Sequence, residues 1–367
     1  MKHIILISNS FGSLYNFRKE LILQLLLQYK VTLLTPMTEA DYSLYEELKE
    51  KGCQLVETPM RRRGKNPFQE LQILKTYRRI LGQEKPDLVL TYTIKPNVYG
   101  ALACQKLGIP YMGTVTGLGM AFEKEGFLQK VSCTLLRKGF SKAEVVFFQN
   151  ESSKEILLEK GIVKDKSRVR LVPGSGINLE HFPLMPYPEQ ETFLYMARIM
   201  KAKGAEEFFA AMEKMKEKYP DVLFDVVGFC EEAYEEKLKS LEAKGYLRYY
   251  GWRNDPETFL ANASCLVNPT YHEGMSNVCL EAAATGRPIL ASDIPGCLET
   301  LENGKTGFSF PPKDAQALFE TMEKFHLLTR EEKEEMGNCG RAKMEREFDR
   351  KIVLEMYRKE IHRVLGD

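Results

Sequence analysis

The sequence predicts a doubly wound α/β protein built from two domains. Short apolar runs that suit buried parallel strands alternate with helical patterns along the whole chain. Polar, glycine-containing loops follow several of these runs, as they do at the carboxyl edge of a parallel sheet. The 367 residues also suffice for two domains with separate hydrophobic cores.

The net charge of +1 hides an uneven distribution. Residues 1–172 contain 27 Lys and Arg against 17 Asp and Glu, a net charge of +10, and the remainder contains 25 against 34, a net charge of −9. Opposite charges favour two bodies with different partners. A basic first half suits an anionic membrane surface or a phosphorylated acceptor, although ordinary solvated surfaces explain the same composition.

The first domain is predicted to open with a strand at 4–8, a loop at 9–13 and a helix that contains Leu21 and Leu25. Gly12 occupies the strand-to-helix turn, where such folds hold phosphates or substrates. Further strands are expected at 31–34, 88–91 and 145–149, and 171–176 forms the linker.

Polar clusters follow two of these strand regions, at 91–97 and 114–119. The carboxyl ends of parallel strands meet at one edge of the sheet, so both clusters are expected to face one crevice. Lys95 within the first cluster is equally compatible with an ordinary surface lysine. The segment 127–140 predicts an amphipathic helix that either covers the core or lies on anionic lipid, and we favour the core. A basic segment precedes the first cluster and contains Arg61, Arg62, Arg63, Lys65, Arg78 and Arg79.

The second domain is predicted to begin with a strand at 192–197, after which Arg198 and Lys203 supply two cations on the loop. Two cations after a strand suit a diphosphate, although a surface pair explains them as well. A second strand and turn are expected at 224–228, and 249–253 contains the only tryptophan, Trp252.

The segment 268–288 predicts a strand, a loop and a helix. An apolar run at 263–267 ends at a proline, and Ser276 or Asn277 is suited to cap the helix that follows. Such a helix directs its first amide groups towards a bound phosphate. Glu273 in the loop and Glu281 in the helix suit paired hydroxyl groups of a sugar or ribose, and a cap with an internal salt bridge is the alternative.

Other classes of protein lack support in this sequence. Neither Gly12 nor the 117–119 segment belongs to a complete Gly-x-Gly-x-x-Gly pattern, and the 303–307 segment lacks the first glycine of a P-loop, so we interpret it as a turn. The eight cysteines and five histidines are dispersed, which argues for reduced core thiols and against zinc. The basic residues lack interleaved aromatic side chains, so no nucleic-acid partner is expected. No signal peptide or membrane span is recognised, and we expect a cytoplasmic protein.

The string Glu273, seven residues, Glu281 and then Ala-Ala-Ala-Thr-Gly-Arg-Pro resembles the signature of the family 4 retaining glycosyltransferases. This resemblance implies the GT-B fold, in which two Rossmann-like doubly wound domains face a central cleft. The segments 8–11, 93–97, 116–119 and 148–151 resemble the branch that builds capsule, O-antigen and lipid-linked oligosaccharides, and enzymes that add N-acetylgalactosamine to a diphospho-undecaprenol-linked sugar. Thr116 stands where many members of the family carry histidine.

The resemblance implies a role for each candidate residue. The first domain, 1–172 completed by a helix at 348–367, binds the acceptor, and the second, 173–347, binds the donor. The catalytic residues are Arg198, Lys203 and Glu273. The donor-binding residues are Gly12, Gly228, Trp252, Arg253, Gly274, Met275, Ser276, Asn277, Val278 and Glu281, and the acceptor-binding residues are Lys95, Asn97, Thr116 and Gly117.

The expected activity is retaining transfer of an N-acetylhexosamine or hexose from a UDP-sugar to a lipid-linked or polysaccharide acceptor. Because no Asp-x-Asp motif is present, no metal or other cofactor is expected. The expected location is the inner face of the cell membrane, held peripherally through the basic first domain. A UDP-sugar 2-epimerase of the same fold and an inactive nucleotide-sugar-binding subunit are the alternatives.

Overall fold

The computed structural model describes residues 1–59, 67–118, 122 and 126–367 and divides the chain into two compact units. Unit 1 comprises Met1–Ser175 and Val353–Asp367, and unit 2 comprises Gly176–Ile352. The first unit was expected to end at residue 172, and the structure divides the chain three residues later, after Ser175.

The strands are parallel throughout both units. They are β1 (His3–Ile7), β2 (Lys30–Thr35), β3 (Gln54–Glu57), β4 (Leu88–Tyr92), β5 (Tyr111–Val115), β6 (Val145–Phe148), β7 (Val169–Leu171), β8 (Thr192–Met196), β9 (Leu223–Val227), β10 (Arg248–Tyr249), β11 (Cys265–Asn268), β12 (Ile289–Ser292) and β13 (Gly307–Phe310).

Helices connect these strands. They are α1 (Phe11–Leu26), α2 (Glu39–Glu50), α3 (Pro67–Glu84), α4 (Ala101–Leu107), α5 (Phe127–Phe140), α6 (Glu151–Glu159), α7 (Ala205–Lys218), α8 (Glu235–Ala243), α9 (Pro256–Asn262), α10 (Asn277–Ala284), α11 (Ala315–His326), α12 (Arg330–Lys343) and α13 (Arg350–Leu365). Single π-helical turns at Pro96–Gly100 and Met344–Phe348 precede α4 and α13.

The sheet of unit 1 has the strand order β3-β2-β1-β4-β5-β6-β7, which is the Rossmann order with one added strand. All five residues of β1 are buried, because helices cover both faces of a parallel sheet. Ile5 and Ile7 pack into the core on one face, and Ile4 and Leu6 pack into the core on the other. The alternation of strand side chains thus builds two cores on one sheet.

The C-terminal helix completes the second of these cores. Val353, Leu354 and Ile361 of α13 lie in it, and the ring of Tyr357 stacks on Phe147 with centroids 4.2 Å apart. The Tyr357 hydroxyl also lies 2.7 Å from the Thr114 hydroxyl of β5. The last helix therefore belongs to the fold of unit 1, although its first turn lies in unit 2.

Helix α5 spans the residues that the sequence predicted, and its apolar side chains from Cys133 onwards pack inward, whereas Val131 is exposed. Cys133, Leu136 and Phe140 lie in the core of unit 1, whereas Lys130 and Lys138 are exposed. These apolar residues therefore cover the core, which is the alternative that the sequence analysis favoured over a helix lying on lipid.

Unit 2 repeats the architecture with the strand order β10-β9-β8-β11-β12-β13. Its first strand, β8, carries Phe193 and Tyr195 into one core and Leu194 into the other. The segment 303–307 forms the predicted turn, in which the amides of Lys305 and Thr306 donate to the carbonyl of Glu302.

A buried arginine holds several segments of unit 2 together. Arg287 is 1% exposed, and its guanidinium donates to the carbonyl oxygens of Pro186, Leu260 and Ala261 at 2.7, 2.8 and 3.0 Å. Burial lowers the pKa of Arg287 to about 10, so the side chain stays charged at neutral pH. The charge is dispersed over backbone dipoles at the end of α9 and in the segment before β8.

Replacing Arg287 with Met is expected to lower the free energy of unfolding by about 2 to 4 kcal/mol, because several buried carbonyl oxygens lose their donor. Denaturant titration of the purified protein measures this change. Arg346→Met removes an exposed guanidinium and serves as the control, and a much smaller loss is expected because solvent screens its ion pairs. Equal losses in the two variants would contradict the assigned role of Arg287.

Candidate active site

The candidate site lies in unit 2 where the winding of the sheet reverses. Strands β8 and β11 are neighbours, and the chain builds the sheet outwards from them in opposite directions. In doubly wound sheets the loops after two such strands separate and leave a crevice at the carboxyl edge. The loop after β8 contains Arg198 and the turn Lys201–Lys203, and the loop after β11 contains Glu273 and leads into α10.

Two glycines let the loops at this edge approach one another. Gly228 follows β9 with a φ of +143°, and a Cβ atom there would lie 1.8 Å from the carbonyl oxygen of Ala197. Gly204 has a φ of +70°, and its Cβ would lie 2.0 Å from the carbonyl oxygen of Pro269. A side chain at either position would collide with the backbone, so only glycine allows the loops after β8, β9 and β11 to pack directly against one another.

A cavity of about 300 Å³ opens at this edge, and it brings together six of the residues predicted from the sequence. They are Arg198, Gly228, Trp252, Arg253, Val278 and Glu281. Met196, Ala197, Val227, Phe229 and Pro256 complete the lining. The indole of Trp252 is 66% exposed, so an aromatic face remains available at the mouth. The cavity therefore combines cations, a carboxyl group and an aromatic surface.

Arg198 forms an ion pair with Glu231, a residue that the sequence analysis did not single out. Glu231 lies after β9, close to the point where the backbone of Ile199 bonds to that segment. Both partners are partly buried, so the pair holds the guanidinium at the cavity wall. The sequence gives little sign of this pairing, since 33 residues separate the partners.

Lys203 and Glu273 also form an ion pair, and each is less than one fifth exposed. The two residues come from the loops after β8 and β11, which the switch in strand order brings together. The sequence analysis assigned both to catalysis on separate grounds, and the structure places them in direct contact.

Glu281 lies in α10 and faces the cavity with an elevated proton affinity. Burial raises the pKa of Glu281 to about 8, the carboxyl of Glu257 adds to the rise, and the guanidinium of Arg350 opposes it. The carboxyl group is therefore largely protonated at neutral pH. Glu257 and Arg350 were not predicted as parts of this site.

The loop before α10 contains Gly274, Met275 and Ser276, and Asn277 is the first residue of the helix. Ser276 occupies the N-cap position, as predicted, but its hydroxyl accepts a hydrogen bond from Asn268 at 2.9 Å and thereby ties the loop to the end of β11. Its amide donates to the carbonyl of Gly296 at 2.8 Å. Met275 and Ser276 are buried, so they shape the loop from below, whereas Asn277 starts the helix.

The predicted acceptor residues lie in unit 1, at the carboxyl edge of its sheet. Lys95 pairs with Glu70 at 2.7 Å, and Asn97 accepts from Thr91 and donates to the carbonyl of Thr114. Thr116 and Gly117 follow β5 and are partly exposed.

Gly12 is the second residue of α1, which corrects its predicted place in a loop. The N-cap of α1 is Ser10, whose hydroxyl accepts a hydrogen bond from the amide of Ser13. The helix therefore begins at Phe11, within the segment 9–13 that was expected to form a loop. Gly119 and the residues Arg61, Arg62, Arg63 and Lys65 lie outside the described residues.

The described residues contain neither a cluster of metal ligands nor a membrane-spanning helix. No group of three or more His, Cys, Asp or Glu side chains there is arranged to hold a metal ion. No helix among the same residues has the length and apolar character needed to cross a bilayer.

Two Rossmann-like units, one with paired cations and carboxylates at its switch point, define a GT-B glycosyltransferase. The chain belongs to the glycosyltransferases: residues 24–174 match the family described as glycosyl transferase 4-like domain, and residues 177–343 match glycosyl transferases group 1. The family expected from the Glu273 and Glu281 string is confirmed.

Named relatives extend this assignment over the whole chain. An N,N'-diacetylbacillosaminyl-diphospho-undecaprenol α-1,3-N-acetylgalactosaminyltransferase of Campylobacter jejuni is 28% identical over 98% of both chains. A UDP-Gal:α-D-GlcNAc-diphosphoundecaprenol α-1,3-galactosyltransferase of Escherichia coli is 26% identical over 70% of both chains. The crystal structure of Anabaena Alr3699/HepE with UDP and glucose superposes with a TM-score of 0.80 at 15% identity, covering 98% of this chain and 99% of that one, which shows the shared fold.

The elevated pKa of Glu281 predicts a pH-dependent stability difference between the wild type and Glu281→Gln. A carboxyl whose pKa rises from 4.5 unfolded to about 8 folded costs stability as pH rises between these values. The melting temperature of Glu281→Gln minus that of the wild type is therefore expected to increase from pH 5 to pH 8 and then level off. Differential scanning calorimetry measures this difference.

The control is Glu355→Gln, which removes an exposed carboxyl whose pKa Arg358 holds below its ordinary value. The melting-temperature difference for this variant is expected to stay flat above pH 5. A flat profile for Glu281→Gln as well would contradict the elevated pKa.

Proposed function

We propose that the enzyme transfers an N-acetylhexosamine or hexose from a UDP-sugar to a lipid-linked glycan acceptor, with retention of anomeric configuration, in bacterial surface glycan biosynthesis. The observation that carries the proposal is the cavity of unit 2, which joins Arg198, Trp252 and Glu281 at the switch point of the sheet. A cation, an aromatic face and a carboxyl group match the three parts of a nucleoside diphosphate.

The cations receive the diphosphate of the donor. Arg198 and Lys203 lie on the loop after β8, and α10 begins at Asn277 with the positive end of its dipole. As the bond between the anomeric carbon and the diphosphate breaks, negative charge grows on the departing phosphate oxygen. Fixed cations stabilise that charge without reorganisation, which lowers the barrier.

The remaining contacts orient the nucleoside and the sugar. Trp252 and Arg253 hold the base at the mouth of the cavity, and Glu281 accepts hydrogen bonds from the ribose hydroxyl groups. Glu273 orients the donor sugar through its hydroxyl groups, while its ion pair with Lys203 fixes both side chains beforehand. The acceptor oxygen then bonds to the anomeric carbon, and its proton passes to the departing diphosphate.

Unit 1 binds the acceptor in this proposal. Lys95, Thr116 and Gly117 lie at the carboxyl edge of its sheet, and Gly12, predicted to contact the donor, lies at the neighbouring strand end. Asn97 is 1% exposed and its side-chain amide bonds to Thr91 and to the carbonyl of Thr114, so it supports this edge from within and corrects its predicted contact with the acceptor. The excess of cations in residues 1–172 attracts an anionic bilayer surface. We therefore place the enzyme at the cytoplasmic face of the membrane as a peripheral protein.

The relatives support this choice of substrates. The names of the Campylobacter jejuni and Escherichia coli proteins both include a diphospho-undecaprenol-linked acceptor, and that of the latter includes UDP-Gal as donor. Both transfer to position 3 of the acceptor sugar with an α linkage. An α-linked product from an α-configured UDP-sugar corresponds to retention.

A transfer assay tests the proposal directly. The purified protein is incubated with UDP-GalNAc, UDP-GlcNAc, UDP-Gal or UDP-Glc and with a polyprenyl-diphosphate-linked N-acetylhexosamine, and the products are analysed by mass spectrometry and NMR. A lipid-linked disaccharide with an α linkage is expected. An epimerised UDP-sugar in the absence of acceptor would instead identify an epimerase, and binding of a UDP-sugar without turnover would identify an inactive binding subunit.

Arg198→Ala is expected to lower kcat/KM, because the guanidinium faces the departing diphosphate. The expected decrease corresponds to a loss of about 2 to 4 kcal/mol of transition-state stabilisation. The matched control is Lys201→Ala, which removes a cation from the same loop at a side chain that is 64% exposed and does not line the cavity. The control is expected to retain kcat/KM within about twofold. Equal kinetics for Arg198→Ala and the wild type would exclude this role.

Turnover is expected to be independent of divalent metal ions, because the proposal assigns charge stabilisation to Arg198 and Lys203. The initial rate is measured after dialysis against EDTA and again after Mg²⁺ or Mn²⁺ is restored. Rates that agree throughout are expected. Loss of activity with EDTA and recovery with one metal would show that the cations of the protein are insufficient.

A further inference from the structure

A second cavity lies in unit 1, at the edge of the sheet opposite to the predicted acceptor loops. It has a volume of about 270 Å³ and is bounded by the C-terminal end of α5, the start of β6 and the connection from α6 to β7. Parallel strands begin at this edge, whereas Lys95 and Thr116 follow strand ends. The cavity is therefore separate from the groups assigned to the acceptor sugar.

The floor of the cavity is the hydrophobic core itself. Phe140, Val146, Ile162 and Val163 line it, and all four belong to the buried cluster on one face of the sheet. Protein cores are normally packed without such a gap. Each of the four side chains is at most 6% exposed, so they form a narrow apolar floor that a hydrocarbon group is suited to contact.

The rim of the cavity carries three cations, Arg137, Lys164 and Arg168. Arg137 donates from Nε to the carbonyl of Gly161 at 3.1 Å and from Nη2 to that of Lys160 at 2.9 Å, which fixes its guanidinium at the end of α6. These bonds leave its Nη1 group for another acceptor. Arg168 similarly donates to the carbonyl of Ala143 at 3.1 Å.

One carboxylate, Asp165, accompanies these cations, and its hydrogen-bonding capacity is used locally. One oxygen accepts from the amide and hydroxyl of Ser167, and the other lies 3.1 Å from Nε of Arg168. Within the part of the chain that the structure describes, Lys164 makes no hydrogen bond or ion pair. The lining side chains thus retain a net charge of +2 beside an apolar floor.

We propose that this cavity binds an amphiphile with a phosphate headgroup, placing the phosphate between Arg137, Lys164 and Arg168 and the first part of its hydrocarbon chain on the apolar floor. Fixed guanidinium groups bind phosphate oxygens well, and a lysine adds a mobile point charge. The excess of cations in residues 1–172 attracts such a ligand from an anionic surface. The inference does not rest on the transfer reaction, because binding is measured without donor or acceptor.

Calorimetric titration of the full-length protein tests the proposal with three probes: inorganic phosphate, ethyl phosphate and decyl phosphate below its micelle concentration. Decyl phosphate is expected to bind at least about tenfold more tightly than ethyl phosphate, because only its chain covers the apolar floor. Equal affinities for all three probes would assign the cavity to free phosphate and overturn the amphiphile. Absence of binding by decyl phosphate would overturn the site itself.

A matched pair of charge reversals locates the binding. Lys164→Glu is expected to weaken decyl phosphate binding by at least about tenfold, and Lys166→Glu, an exposed residue of the same connection outside the lining, by less than about twofold. Flotation with phosphatidylcholine vesicles containing phosphatidylglycerol is expected to show the same order. Equal effects of the two substitutions would show a general charge effect and contradict the site.

Discussion

The architecture of unit 2 depends on backbone contact at the carboxyl edge of its sheet. At Gly228 and Gly204 a side chain would collide with the carbonyl oxygens of Ala197 and Pro269, so the loops after β8, β9 and β11 meet without side chains between them. This contact sets the positions of Arg198 and Lys203 on one loop and Glu273 on another. The site is therefore a consequence of how the strands are wound, since no single loop contains all its groups.

The cations of the candidate site are balanced by local ion pairs. Arg198 is matched by Glu231 and Lys203 by Glu273, while burial keeps the carboxyl of Glu281 largely protonated. Partly buried cations without such partners would carry a large desolvation cost. In the proposed function, a diphosphate would replace Glu231 and Glu273 as the ionic partner of these cations, and the ion pairs orient the cations beforehand. The ion pairs thus let partly buried cations persist in a stable fold.

The sequence predicted those features that local chemistry determines. Buried parallel strands are continuous apolar runs, and polar residues follow their ends, so the two-domain fold and the neighbourhood of Arg198, Trp252 and Glu281 were accessible without coordinates. The partners of these residues were not accessible, because Glu231, Glu257 and Arg350 come from other segments. Ser276 occupies the predicted N-cap position, but its hydroxyl bonds to Asn268 instead of a helix amide. Gly12 was expected in a loop, whereas helix α1 begins at Phe11 and includes it.

The cavity in unit 1 could not be predicted from the polar residues that follow strands. Its cations lie elsewhere: Arg137 is in the last turn of α5, and Lys164 and Arg168 precede β7. A parallel sheet has two chemically distinct edges, and these cations occupy the edge that the acceptor residues do not use. Lys95 and Thr116 follow strand ends at the opposite edge, so the proposed phosphate cavity and the predicted acceptor loops use separate sets of side chains. The two kinds of edge can therefore be tested independently, because a substitution in one cavity leaves the residues of the other edge unchanged.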